Sequence, residues 1–282
     1  MQTSVEWKKL IRRFLKRHLT VVGFILIAGV VLFAIFGPIL VTYDPTDMDI
    51  RNALSSPGSD HLLGTDQFGR DTLSRLAYGA RISIQVGGLA TLASLLFGVI
   101  SGSLAGYAGR IADTCIMRFM DALMAFPGIL LAIALVGVLG PGLMSLIFAI
   151  SIGSTPRFAR LTRAVILQKK NLEYVLASRA LGKSGGKILF SDILPNCMSP
   201  LIVQITLTLP STILSEAALG FLGLGAPPPA PSWGRMLNEA RAYMEISPEQ
   251  AIFPGLVIFI TVLGFNLLGD GLRDVLDPKM VK

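Results

Sequence analysis

The chain has 282 residues, of which 52% are hydrophobic and only 15% charged, with a formal net charge of +7. Soluble domains are about 25% charged, and here the apolar residues stand in long charge-free runs, which excludes an ordinary soluble globule. The basic residues occupy short segments between those runs, the pattern of cytoplasmic loops rather than of a nucleic-acid surface.

A helix needs roughly 20 apolar residues to cross the hydrocarbon core. In chain order the predicted spans are 19–40, 82–107, 122–139, a fourth from 143 that must run past Pro156, then 200–225 and 252–269. The third is closed by Gly140-Pro141-Gly142. The first run is too long for the apolar region of a signal peptide and no small-x-small cleavage site follows it. The fold class expected is all-α, a polytopic membrane protein with six transmembrane helices.

Loop charge sets the orientation. The N-terminus carries Lys8, Lys9, Arg12, Arg13, Lys16 and Arg17, and the 157–192 segment carries eight basic residues against two acids. Residues 41–81 carry four basic residues against six acids. Positive charge stays inside, so both termini and the 157–192 loop are expected in the cytoplasm and 41–81 outside. The resulting division is a basic N-terminus with the first helix (1–40), an outer loop (41–81) and a core of five helices (82–282).

Along the second span Ala90, Ser94, Gly98, Gly102 and Gly106 recur at every fourth position. Such a smooth stripe lets another helix backbone approach, either within the chain or as a seam against a partner. Glu216 is the one acid inside a span. An intramembrane charge marks either a functional site or a position wetted near the outer mouth. No second carboxylate or histidine accompanies it, which argues against a proton relay. Cys115 and Cys197 lie far apart, and His18 and His61 have no ligand-spaced companions, so no metal site is expected.

Gly182-Lys183-Ser184 invites a phosphate-loop reading, but the first glycine of that motif falls on Ala177 and the preceding residues read as helix, not strand. ATP binding by this chain is therefore rejected. The stretch from Glu173 and Tyr174 to Gly182, followed by Ile193-Leu194-Pro195-Asn196, instead resembles the EAA loop of ABC importer permeases. Ala177, Gly182, Leu194 and Pro195 fall in register and Ser178 nearly so, while Leu176 stands where the pattern has glutamate and Asp192 where it has isoleucine. Ala177, Ser178 and Ala180 offer small faces for a groove, with Arg179, Lys183 and Lys187 at the edges. A coupling loop at 171–195 is the expectation.

The resemblance runs from about residue 8 to 279. Gly64-Thr65-Asp66-Gln67-Phe68-Gly69-Arg70-Asp71, Phe221-Leu222-Gly223-Leu224-Gly225, Pro231-Ser232-Trp233-Gly234 and the segment from Phe265 to Asp274 look like the second type of permease subunit in the dipeptide, oligopeptide and nickel importer family. That resemblance implies a type I ABC importer fold in a bacterial cytoplasmic membrane. It also implies a heterodimer with a paralogous permease, two ATP-binding subunits that hold ATP and magnesium, and an extracytoplasmic solute-binding protein. It implies peptides as cargo, glutathione-like ones included, with nickel or a metal chelate as the alternative. Asp66, Arg70 and Asp71 read as a structural salt-bridge cluster, and Trp233 with Pro227-Pro228-Pro229 as shaping the outer mouth. A membrane-embedded enzyme would need clustered catalytic side chains, which are absent from the sequence pattern. A secondary transporter would work without ATPases.

Overall fold

The computed structural model describes residues 17–276, which leaves Lys8, Lys9, Arg12, Arg13, Lys16 and Lys282 outside the described residues. Every regular element described is a helix, beside one isolated bridge between Thr65 and Asp71. The first, α1 (His18–Leu40), follows the charge-free run. It lies along α10 (Glu249–Leu276), close enough that a side chain on Gly23 would meet the backbone of Leu268. The guanidinium of Arg17 pairs with Asp274 where these two helices end together.

Helix α2 (Thr72–Tyr107) begins ten residues before the expected span. Asp71 caps it, its carboxylate accepting the Ser74 N–H at 2.7 Å. Hydropathy misses this start because the first turns carry Arg75 and Arg81. The expected third span is not one straight helix. Proline lacks the N–H that a helix needs and disfavours helical backbone before it; here Phe126 is extended, and the run breaks at Phe126-Pro127 into α3 (Arg110–Ala125) and α4 (Gly128–Leu139), set at 96°.

Helix α5 (Leu143–Lys169) runs through Pro156, as the fourth span requires. The short helices α6 (Glu173–Ala180) and α7 (Gly185–Ile188) follow. A π turn and a 3-10 turn then lead into α8 (Met198–Phe221). Among the described residues four helices are long and apolar enough to cross a membrane, five if the bent pair is one span, against six expected. The shortfall lies at α5, whose second half carries Arg157, Arg160 and Arg163.

Among the described residues three apolar clusters hold the bundle. One joins Leu76, Ile213, Trp233 and Ile258, with Trp233 contributed by α9 (Trp233–Ala240). A second joins Val86, Val136, Leu146 and Leu219. The third joins Phe158, Ile166, Ile188, Ile193 and Leu201. Large apolar side chains such as Ile25, Phe36, Ile100 and Phe119 stay exposed on the helix surfaces, as hydrocarbon surroundings require and water would not.

Candidate functional site

The loop between α5 and α8 is ordered by its own backbone. The Lys183 N–H donates to the Ser178 carbonyl at 3.2 Å and the Gly182 N–H to the Arg179 carbonyl at 3.0 Å. This is the paired hydrogen-bond pattern that closes a helix through a left-handed residue. Gly182 supplies that residue at φ +77°, which side-chain-bearing residues adopt only at a cost. Across the turn Lys183 Nζ meets Asp192 Oδ1 at 2.7 Å. Asp192, the departure from the loop pattern, is thus the residue that clips the two short helices together.

The inner face of the loop is apolar. Val175, Ile188 and Ile193 are buried against α5 and α8. Lys170 Nζ donates to the Gly106 carbonyl, tying the start of the loop to the end of α2. The outer face is also apolar but uncovered: Tyr174, Leu176, Leu181 and Phe190 are exposed, Leu181 to 87%, among exposed Ala177, Arg179 and Lys187. Ser178 is half-buried. Leu194 and exposed Pro195 form the 3-10 turn that hands the chain to α8.

The small-residue stripe faces α5 of the same chain. Ser94 Oγ donates to the Ala90 and Ser151 carbonyls. A side chain on Gly98 would overlap Phe158, one on Gly102 the Ala159 carbonyl, and one on Gly106 the Ile166 side chain. Helices α2 and α5 therefore touch backbone to backbone along the stripe.

Neither Glu216 nor Trp233 reaches the surface of the chain. Trp233 is fully buried, its Nε1 donating to the Leu76 carbonyl at 3.2 Å. Glu216 is fully buried as well, beside the hydroxyls of Ser83 and Ser232, and neither carboxylate oxygen has a hydrogen bond of normal geometry. Of the two readings of Glu216, the wetted one does not fit this burial, and Trp233 serves as packing: α9 folds over the end of α8 and covers both.

At the same end Asp66 and Glu239 hold three guanidinium groups. Asp66 meets Arg70 at 2.6 Å and Arg75 at 3.3 Å, and Glu239 meets Arg70 at 2.9 Å, Arg75 at 2.6 Å and Arg235 at 2.8 Å. Asp71 stands apart, capping α2 and contacting His61 Nδ1 at 2.9 Å. Sequence reasoning grouped Asp66, Arg70 and Asp71 and missed Arg75, Arg235 and Glu239. The i,i+4 pair Arg235–Glu239 was the one available signal. Among the described residues no group of three or more His, Cys, Asp or Glu is placed to hold a metal ion.

Comparison with known proteins places this geometry. Residues 6–57 match the N-terminal transmembrane domain of oligopeptide transport permease C. The chain is 46% identical over 274 residues to a dipeptide transport system permease of Alkalihalophilus pseudofirmus, covering 97% of this chain and 90% of that one. It is 46% identical to a glutathione transport system permease of Pectobacterium atrosepticum, covering 97% and 91%. It is 44% identical to an oligopeptide transport system permease of Bacillus subtilis, covering 98% and 90%. A chain of the inward-facing MetNI methionine ABC transporter superposes with a TM-score of 0.57 at 19% identity, over 70% of this chain and 94% of that one, a likeness of fold. Residues 94–282 match the binding-protein-dependent transport system inner membrane component, and the chain belongs to that family, with the type I ABC importer permease fold.

Proposed function

We propose that this chain forms half of the membrane pore of an importer for di- and oligopeptides, glutathione-like ones included, and that its 171–195 loop docks on an ATPase subunit. The observation that carries the reading is the loop itself. It is held rigid by the Gly182 turn and the Lys183–Asp192 pair, presents an uncovered apolar face, and joins α5 directly to α8. A push on such a loop moves two helices, because a helix in hydrocarbon keeps its backbone bonds and transmits displacement along its length.

The relatives named for dipeptide, oligopeptide and glutathione transport support the cargo class. In this reading a paralogous permease completes the pore, two partner subunits hold ATP and magnesium, and a binding protein delivers solute to the 41–81 side. Both termini and the docking loop lie in the cytoplasm. The test is uptake of labelled peptide by the reconstituted importer, with and without an inactivating substitution in the partner ATPase. Uptake must require hydrolysis. Uptake that persists without it makes this chain a secondary transporter instead.

A further inference from the structure

Among the described residues wide clefts open between the helices, and three of them are lined almost wholly by carbon: α1 with α10, α2 with α8, and α2 with α3 and α5. Another, about 630 Å³, lies between α5, α8 and α10, and presents Gln168, Lys169, Asn196, Ser199, Gln204 and Arg273. We propose that this cleft is the chain's wall of the solute passage and takes a peptide through its N–H groups and terminal carboxylate. The ligand class rests on the peptide-importer reading; the placement of the passage does not.

Gln168, Lys169 and Asn196 lie at the proposed cytoplasmic end, where water is at hand, so the placement rests on the polar lining that continues inward past them. Hydrocarbon offers no hydrogen bonds, so amides and cations on a membrane helix turn toward protein or a water-filled route. Gln204 lies nearly two turns inside α8, which extends the polar lining into the bundle. The apolar clefts suit acyl chains, and this one does not.

The side chains are also set for one kind of ligand. Asn196 Nδ2 donates to the Asp192 carbonyl at 2.7 Å and Gln204 Nε2 to Thr208 Oγ1 at 3.1 Å. Both amides are thereby fixed with their carbonyl oxygens left to accept incoming N–H groups. Several other cations are paired, Arg160 with Asp121, Arg163 with Asp113, Lys183 with Asp192 and Arg17 with Asp274, and Lys170 is turned to the Gly106 carbonyl. Lys169 and Arg273 have no ion-pair partner among the described residues. Acceptors beside these two cations fit a solute that carries several N–H donors and a carboxylate. They repel a free metal cation. Asn196 follows Pro195 directly, so displacement of the docking loop shifts the rim of the cleft.

Two measurements on the complete importer in membranes test this. In a Cys115→Ser background, where the remaining Cys197 is buried, Gln204→Cys is labelled with a membrane-impermeant maleimide, beside Leu96→Cys from an apolar cleft. A thiol in water reacts at least about tenfold faster than one in hydrocarbon, where the thiolate is suppressed. Equal rates at the two positions overturn the passage, whatever the cargo.

The second measurement is uptake of a free-acid dipeptide against its C-terminal amide, in wild type and in Lys169→Gln/Arg273→Gln. The free-acid to amide ratio falls about tenfold in the variant, the scale of one charge-assisted hydrogen bond. Uptake of each compound is read per assembled importer in the membrane, so that only the ratio between the two is compared. An unchanged ratio beside fast Gln204→Cys labelling overturns the assignment of the ligand. Wild type that imports neither compound refutes the peptide reading, while the labelling result still judges the passage.

Discussion

The Arg75 guanidinium meets the Glu239 carboxylate at 2.6 Å across 164 residues of sequence. The pair lies at the centre of a network that locks the 41–71 loop, the start of α2 and α9 into one end of the bundle. Arg75 is 1% exposed in its side chain and Glu239 13%. Removing one partner of a buried pair strands the other charge, at a cost of about 3–5 kcal/mol. Glu239→Ala takes the carboxylate from Arg235 and leaves Arg70 and Arg75 to share Asp66 alone, so its denaturation midpoint in detergent should drop markedly, with Glu239→Gln between it and wild type. A midpoint that does not move means the network is not structural.

The stripe on α2 gives a paired prediction. Gly102→Leu places a side chain on the Ala159 carbonyl and forces α2 from α5, and overpacking of this kind costs about 1–3 kcal/mol. Gly88 lies on the same helix with nothing within 4 Å. Gly88→Leu should leave the isolated chain as stable as wild type. Thermal melts of both variants separate close approach from a general intolerance of α2 to bulk. Equal melts remove the stripe as a packing device.

The long elements were legible wherever charge-free runs coincide with unbroken helix, as at 19–40 and 252–269, while the run at 200–225 carries Glu216 and its helix stops at Phe221. The misses have physical causes. Hydropathy averages over Phe126-Pro127 and cannot register that the backbone turns there by 96°. It also rejects the first turns of α2 because it counts Arg75 as a cost, when the compensating Glu239 lies far along the chain. In the docking loop the glycine turn was readable because its requirement is local. The Lys183–Asp192 pair was not, since Asp192 registers only as a departure until the fold brings it to Lys183. The polar cleft draws on three helices and leaves no periodic trace in any of them.

Glu216 sits in the packed end of the bundle without a hydrogen bond of normal geometry. A buried polar group without a partner is costly, and a charged one more so. Glu216→Gln keeps the shape and removes the formal charge, so its thermal midpoint should equal or exceed that of wild type. If the midpoint falls while peptide uptake is lost, the carboxylate has a role the static packing does not reveal. A normal midpoint with normal uptake makes it a tolerated core acid.

The Gly182 turn separates two ways in which the proposed docking loop can fail. The residue adopts φ +77°, and nothing stands within 4 Å of where a Cβ would project. Within this chain the penalty of any side chain there is backbone strain, about 1 kcal/mol, and does not depend on size. Asparagine tolerates left-handed backbone better than other side chains, so Gly182→Asn should relieve most of that strain. Gly182→Ala carries the strain with little bulk, and Gly182→Trp adds bulk that only a partner can feel. If the loop seats in an ATPase groove, ATPase co-purification and peptide uptake should follow the order Asn, then Ala, then Trp. Trp should fail even though the chain inserts in the membrane and melts like the Ala variant. Equal behaviour of Ala and Trp in co-purification and in stimulated ATPase activity would mean that no surface covers this turn, and that coupling runs through another part of the chain.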